Sequence, residues 1–141
     1  MKKTTLLPFV SKPGRYLGNE FNTTQKEWDK TEVRIALLFP DLYEIGMSHL
    51  GLQILYHILN NEAGILAERS YCPDLDAEKI MRAKHLPLLS LESSTPVSSF
   101  DIVGITLPYE LCYTNILTIL DLAGIPRRSK DRNATHPIIL G

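Results

Sequence analysis

The chain has 141 residues, 44% of them apolar and 22% charged, with 15 Lys and Arg against 16 Asp and Glu. This describes one ordinary domain with a sizeable core, and its net charge of −1 lacks the basic excess of a dedicated nucleic-acid binder. No apolar run approaches the ~20 residues of a membrane helix, the opening Met1–Val10 is too short and too broken by Pro8 for a signal peptide, and two cysteines make no disulfide framework; the expected compartment is the cytoplasm, with both thiols reduced.

Residues 1–31 carry prolines, glycines and asparagines without a sustained period. They read as an extended N-terminal arm with Phe9, Tyr16, Phe21 and Trp28 as apolar anchors. Residues 32–141 are regular and form the domain proper. Val33–Phe39 is a short apolar run closed by Pro40 and Asp41, as in a buried strand. Met47, Leu50, Gly51, Ile54, Leu55 and Ile58 then recur every three or four residues and mark one apolar helix face, with His49, Gln53, His57 and Asn60 opposite. Ile65–Cys72 is a second strand, and a short helix follows with Asp74 or Asp76 as its cap. Leu86–Leu91 reads as a small extra strand. Phe100–Leu107 is the third main strand, Leu111–Ala123 a helix ended by Gly124 and Pro126, and Pro137–Leu140 the start of a fourth strand.

Alternating strands and helices make an α/β, Rossmann-like fold: a parallel sheet with flanking helices, Val33–Phe39 central and the second and third strands on either side. Ligands of such sheets sit beyond the carboxyl ends of the strands. The residues there are Asp41, Tyr43, Glu44 and Gly46 after the first strand, Thr106, Tyr109 and Glu110 after the third, and Gly141 after the fourth. No G-x-G-x-x-G accompanies them, and Asp41 and Glu44 would repel a phosphate, which argues against a dinucleotide. A flavodoxin-type phosphate loop and a phosphorylation receiver's lysine are also missing.

Phe39 to Asn60 resembles the N-terminal domain of an uncharacterised family of radical S-adenosylmethionine proteins with a cobalamin-binding-like domain. Arg15 to Asn22, Ala67-Glu-Arg69, Pro87 to Glu92 and Tyr109 to Asn115 are similar to the same family in the same order. The resemblance implies a flavodoxin-like or cobalamin-binding-like fold and an accessory role: covering a radical domain and helping to form its substrate or cofactor chamber. It implies too that the chain continues past Gly141, which falls inside a strand, into that radical domain. The [4Fe-4S] cluster and S-adenosylmethionine would belong there, because Cys72 and Cys112 cannot supply a C-x-x-x-C-x-x-C motif. Cobalamin is a further implied ligand; Asp41 and Gly46 match the D-x-H-x-x-G of histidine-ligated cobalamin proteins, but Tyr43 stands at the histidine. The cofactor-facing candidates are therefore Asp41, Tyr43, Glu44, Gly46, Thr106, Tyr109, Glu110 and Gly141. Neither a catalytic nor a metal-ligating residue is assigned in this chain.

Other features have plainer readings. His49 and His57, ~12 Å apart along one helix, cannot share a metal and read as a polar stripe. Arg127–Arg132 is a basic turn at the opposite edge of the sheet, where an RNA contact is the less economical explanation. Cys112 reads as a buried hydrophobe and Tyr113 as a packed aromatic. Asp41 and Glu44 read most simply as caps of the following helix. The Leu111–Ala123 helix is apolar beyond what one sheet face needs, so self-association and contact with another domain are both expected. A non-catalytic module for binding protein or RNA is the alternative function.

Overall fold

The computed structural model describes residues 6–21 and 23–141; the basic opening Met1–Thr5 and Asn22 lie outside them. Four strands, β1 (Val33–Phe39), β2 (Ile65–Tyr71), β3 (Ile102–Ile105) and β4 (Ile138–Leu140), form one all-parallel sheet in the order β2-β1-β3-β4. The fold is thus the expected α/β Rossmann-like one with β1 inside, in the doubly wound strand order whose reversal point lies between β1 and β3. Β1 is buried on both faces, so its run Ala36–Phe39 is apolar without alternation.

Among the described residues, α1 (Gly14–Leu17) lies in the arm ahead of β1, and four α-helices join the strands: α2 (Tyr43–Met47) and α3 (Leu50–Asn61) between β1 and β2, α4 (Leu75–Ala83) before β3, and α5 (Tyr113–Leu122) before β4. Right-handed crossovers in opposite directions place α3 on one face and α4 and α5 on the other. Leu37, Phe39, Ala67 and Tyr71 pack with Leu52 and Tyr56 of α3. Ala36, Leu38, Val103 and Ile105 pack with Met81 of α4 and with Ile119, Leu120 and Leu122 of α5. Asp74 caps α4 by accepting from the Leu75 amide at 2.8 Å. Gly124, at φ 70°, takes the left-handed turn that ends α5.

Several expectations are corrected. The face of α3 that sequence periodicity marked as apolar points outward: Leu50 is 71% exposed, Ile58 56%, and Ile54 and Leu55 48% each. The inward face is Leu52, Tyr56 and Asn60. Asn60 is drawn in because its amide pairs with both Ala67 backbone groups, Nδ2 donating to the carbonyl and Oδ1 accepting from the N–H, each at 3.0 Å. His49 leaves the polar stripe to cap α3, its Nδ1 accepting from the Leu52 amide at 3.2 Å. Leu86–Leu91 is no strand; its one bridge is an isolated antiparallel contact, Leu89 to Pro96. In the arm, Phe9 and Phe21 are exposed, while Val10 and Arg15 are buried and Trp28 stacks edge-on against Phe100 at 5.0 Å.

Candidate functional site

The carboxyl edge of the sheet divides into two groups of candidate residues. The first lies at the reversal point between β1 and β3. Asp41 follows β1, and its Oδ2 accepts a hydrogen bond from the Tyr109 hydroxyl, which arrives from the loop after β3. This bond, followed by loss of solvent, pushes the Tyr109 hydroxyl up to about 12, so it stays a donor at neutral pH. Asp41 Oδ1 accepts from the neighbouring Leu42 amide at 2.7 Å, so Asp41 holds its own turn; α2 has no side-chain cap, contrary to expectation. Thr106 continues the β1–β3 ladder, its N–H donating to the Leu38 carbonyl at 2.9 Å. Gly141 reaches the same edge, beside Leu107 and the Ile105 carbonyl. Glu110 opens the exposed turn that leads into α5.

The second group turns away toward β2 and the arm. The Tyr43 hydroxyl donates to Glu20 Oε1 at 2.5 Å, and its ring meets Tyr71 edge-on at 5.4 Å. Burial and then the bond to Glu20 push Tyr43 up to about 12. Glu44 is exposed and pairs with Arg15 at 2.8 Å and Lys12 at 3.5 Å. Its own helix amide and the Arg15 bond hold it below the usual carboxylate range. Gly46 is buried: a Cβ there would lie 2.5 Å from the Tyr71 ring and 2.9 Å from Phe39. Its role is therefore close packing of α2 on two rings.

This arrangement bears on the implied cobalamin. A cobalt ligand in place of the missing histidine would have to be Tyr43, whose neutral hydroxyl is committed to Glu20. The residues at that position do not fit a ligating role.

Sequence reasoning missed a buried polar cluster, which lies beside the second group. Arg69, in mid-β2, binds Glu92 through both its backbone N–H and Nε at 2.8 Å, Glu20 through Nη2 at 2.6 Å, and Gln53 through Nη1 at 3.2 Å. Its guanidinium also lies 4.5 Å from the centroid of the Tyr56 ring. Burial alone would lower the Arg69 pKa, but the charges of Glu92 and Glu20 leave it raised. The available signal was a charged pair, Glu68-Arg69, in the middle of a strand that opens on Ile65-Leu-Ala67. The basic turn lies at the amino end of β4, where Arg132 donates to the carbonyls of Pro126 and Arg127 at 2.8 and 3.0 Å and Arg127 pairs with Asp121 at 3.1 Å. No helix among the described residues is long and apolar enough to cross a membrane.

The comparisons with known proteins follow the same direction. A family model described as the N-terminal region of radical SAM proteins matches residues 51–141, about two thirds of the chain. The chain belongs to that family. Neither the curated proteins nor the solved structures give a match. Among the described residues, no group of three His, Cys, Asp or Glu is placed to hold a metal ion.

Proposed function

We propose that this member of the radical SAM N-terminal family is a docking domain that covers a radical SAM catalytic domain and lends its carboxyl edge to the chamber between them. The observation that carries the reading is an unpartnered apolar surface that follows from the fold. Β1 turns Ile35 and Leu37 toward α3, and register puts Ile102 and Gly104, then Ile138 and Leu140, on the same side. One helix, ~10 Å wide, covers about two strands spaced ~4.8 Å apart. α3 lies over β1 and β2, so the β3–β4 half of that face is bare, with Ile138 63% and Leu140 55% exposed. It adjoins the outward side of α3, where Leu50, Ile54 and Ile58 are exposed, and Leu107 and Leu111 are exposed apolar groups of the chain beyond the end of β3. Contiguous apolar surface of this kind marks a contact with another protein body.

In this reading the reversal-point residues Asp41, Thr106, Tyr109 and Gly141 face the chamber, with Glu110 at its rim. The iron–sulfur cluster and S-adenosylmethionine are held by the catalytic domain. Ile54→Lys and Ile138→Lys test the docking, because both positions are exposed and the fold should tolerate them. We expect each variant to keep its melting temperature within a few degrees and to weaken association with the catalytic domain by tenfold or more. Unchanged association of both folded variants would refute the reading. Self-association through the same surface, or RNA capture by the basic turn instead, would replace it with the interaction-module alternative.

A further inference from the structure

The arm changes character at Gly18 and Asn19. Gly18 adopts φ 69° and ψ −151°, a region open essentially to glycine alone, and Asn19 follows at φ 61°, in the left-handed region. Beyond them the arm is bound tightly. Glu20 accepts from the buried Arg69 guanidinium at 2.6 Å, the Thr24 amide donates to the Tyr56 hydroxyl at 2.8 Å, and Trp28 meets Phe100 edge-on. Ahead of them it is held lightly. Val10 and Arg15 are the only buried residues of 6–17, and among the described residues the backbone of this stretch makes no hydrogen bond to backbone outside it. Its fastenings run through polar side chains. Arg15 pairs with Glu44 and Asp74, the Ser11 amide donates to Asp76 at 2.7 Å, and the Tyr16 hydroxyl accepts from the Asp74 amide at 3.1 Å. Few buried contacts and partly solvated ion pairs put a segment at the low-stability end of a fold.

The same stretch covers a cleft of about 70 Å³ at the carboxyl end of β2. Leu6, Arg15 and Tyr16 line it from the arm, and Cys72, Met81 and Leu88 from the body of the domain. Leu6 also packs against the core cluster to which those three body residues belong. A single water requires only ~10–15 Å³, so the arm does not meet the body here at the density of a protein interior.

We propose that Leu6–Leu17 is a lid, hinged at Gly18–Asn19 and latched by Arg15, that opens as a unit to uncover this cleft while the arm from Glu20 onward stays bound. Hinges are short sequences that absorb large changes of backbone dihedral, and a glycine followed by a left-handed asparagine supplies one. Arg15 is suited to the latch because a single guanidinium joins α2, through Glu44, to the cap of α4, through Asp74. The side chains of these carboxylates are already 46% and 34% exposed, so release of Arg15 leaves them in water and not buried without a partner. The lid stands at β2, apart from the docking surface over β3 and β4, and either claim fails without the other.

Cys72 reports the opening. It is 8% exposed, and burial pushes its thiol up to about 12, so alkylation requires the cleft to be uncovered. Cys112, 1% exposed in the turn before α5, is the internal control. On the 141-residue chain we expect Arg15→Gln to speed iodoacetamide alkylation of Cys72 about tenfold, the scale of one charge-assisted hydrogen bond, and to leave Cys112 unchanged. Amide exchange at Ser11 should quicken with it, and exchange at Thr24 should not. Equal acceleration of both cysteines would mean that the whole fold loosens. Equal acceleration of Ser11 and Thr24 would remove the hinge, and no acceleration would remove the latch; each of these results overturns the proposal. Should Arg15→Gln fail to fold, the wild type decides. Cys72 alkylation and Ser11 exchange then give one common opening equilibrium, larger than those of Cys112 and Thr24, and unequal values for the first two overturn the lid.

Discussion

Gly46 shows how one position constrains the edge around it. A methyl group there would meet the buried rings of Tyr71 and Phe39 at 2.5 and 2.9 Å, so the rings or the helix must shift to admit it. Gly46→Ala should therefore destabilise the domain by ~1–3 kcal/mol through overpacking; an unchanged urea midpoint would contradict this. Arg69 is the converse, a charge held by its partners. Its side chain and that of Glu92 are each only 4% exposed, and Glu20 is 10% exposed. Arg69→Met leaves two buried carboxylates without their cation and should cost ~3–5 kcal/mol. A loss below 1 kcal/mol in denaturant titration would show the pairs to be solvated. The Glu68-Arg69 signal was legible in the sequence as charge inside a strand. Its partners were not, because Glu20 and Glu92 lie 49 and 23 residues away and only the fold brings them together.

At the scale of elements, the arm is fastened to the domain chiefly by carboxylates. Asp76 accepts from the Ser11 amide at 2.7 Å, Glu44 pairs with Arg15, and Lys26 reaches the carbonyls of Glu62 and Ile65 at 2.6 Å. Glu44 and Asp76 are both held below their ordinary values of 4.5 and 3.8, Glu44 first by its helix amide and then by Arg15, Asp76 by the Ser11 amide. A depressed folded-state value means that stabilisation is complete above the ordinary value and is lost as pH falls through the depressed one. Amide exchange over Val10–Leu17 should accordingly quicken below about pH 4, while β1 stays protected. Exchange in the arm that ignores pH across this window, beyond the intrinsic dependence, would contradict the attribution. The helix α3 shows why periodicity identified an element without orienting it. Leu52, Tyr56 and Leu59 form a second apolar row beside Leu50, Ile54 and Ile58. The row that packs inward also carries Asn60, whose amide satisfies the Ala67 backbone groups. Hydrophobicity alone favours the outer row; hydrogen-bond satisfaction favours the inner one.

For the whole molecule, the sheet order was readable because three apolar runs closed by proline leave little choice of topology under the right-handed crossover rule. The edge was readable only as a set of loops. The fold joins Asp41 to Tyr109 but sends Tyr43 and Glu44 to the arm, a division set by side-chain partners far apart in sequence. The bare half of the sheet follows from strand order and handedness, and it is the surface on which the proposed docking role rests. Carbene footprinting tests that role most directly, by comparing the 141-residue chain alone with the same residues in the presence of the radical SAM catalytic domain. The account predicts that labelling of Leu50, Ile54, Ile58, Ile138 and Leu140 falls several-fold in the assembly while exposed Leu75, on the opposite face, is unchanged. Equal labelling of the five residues in both states would contradict it.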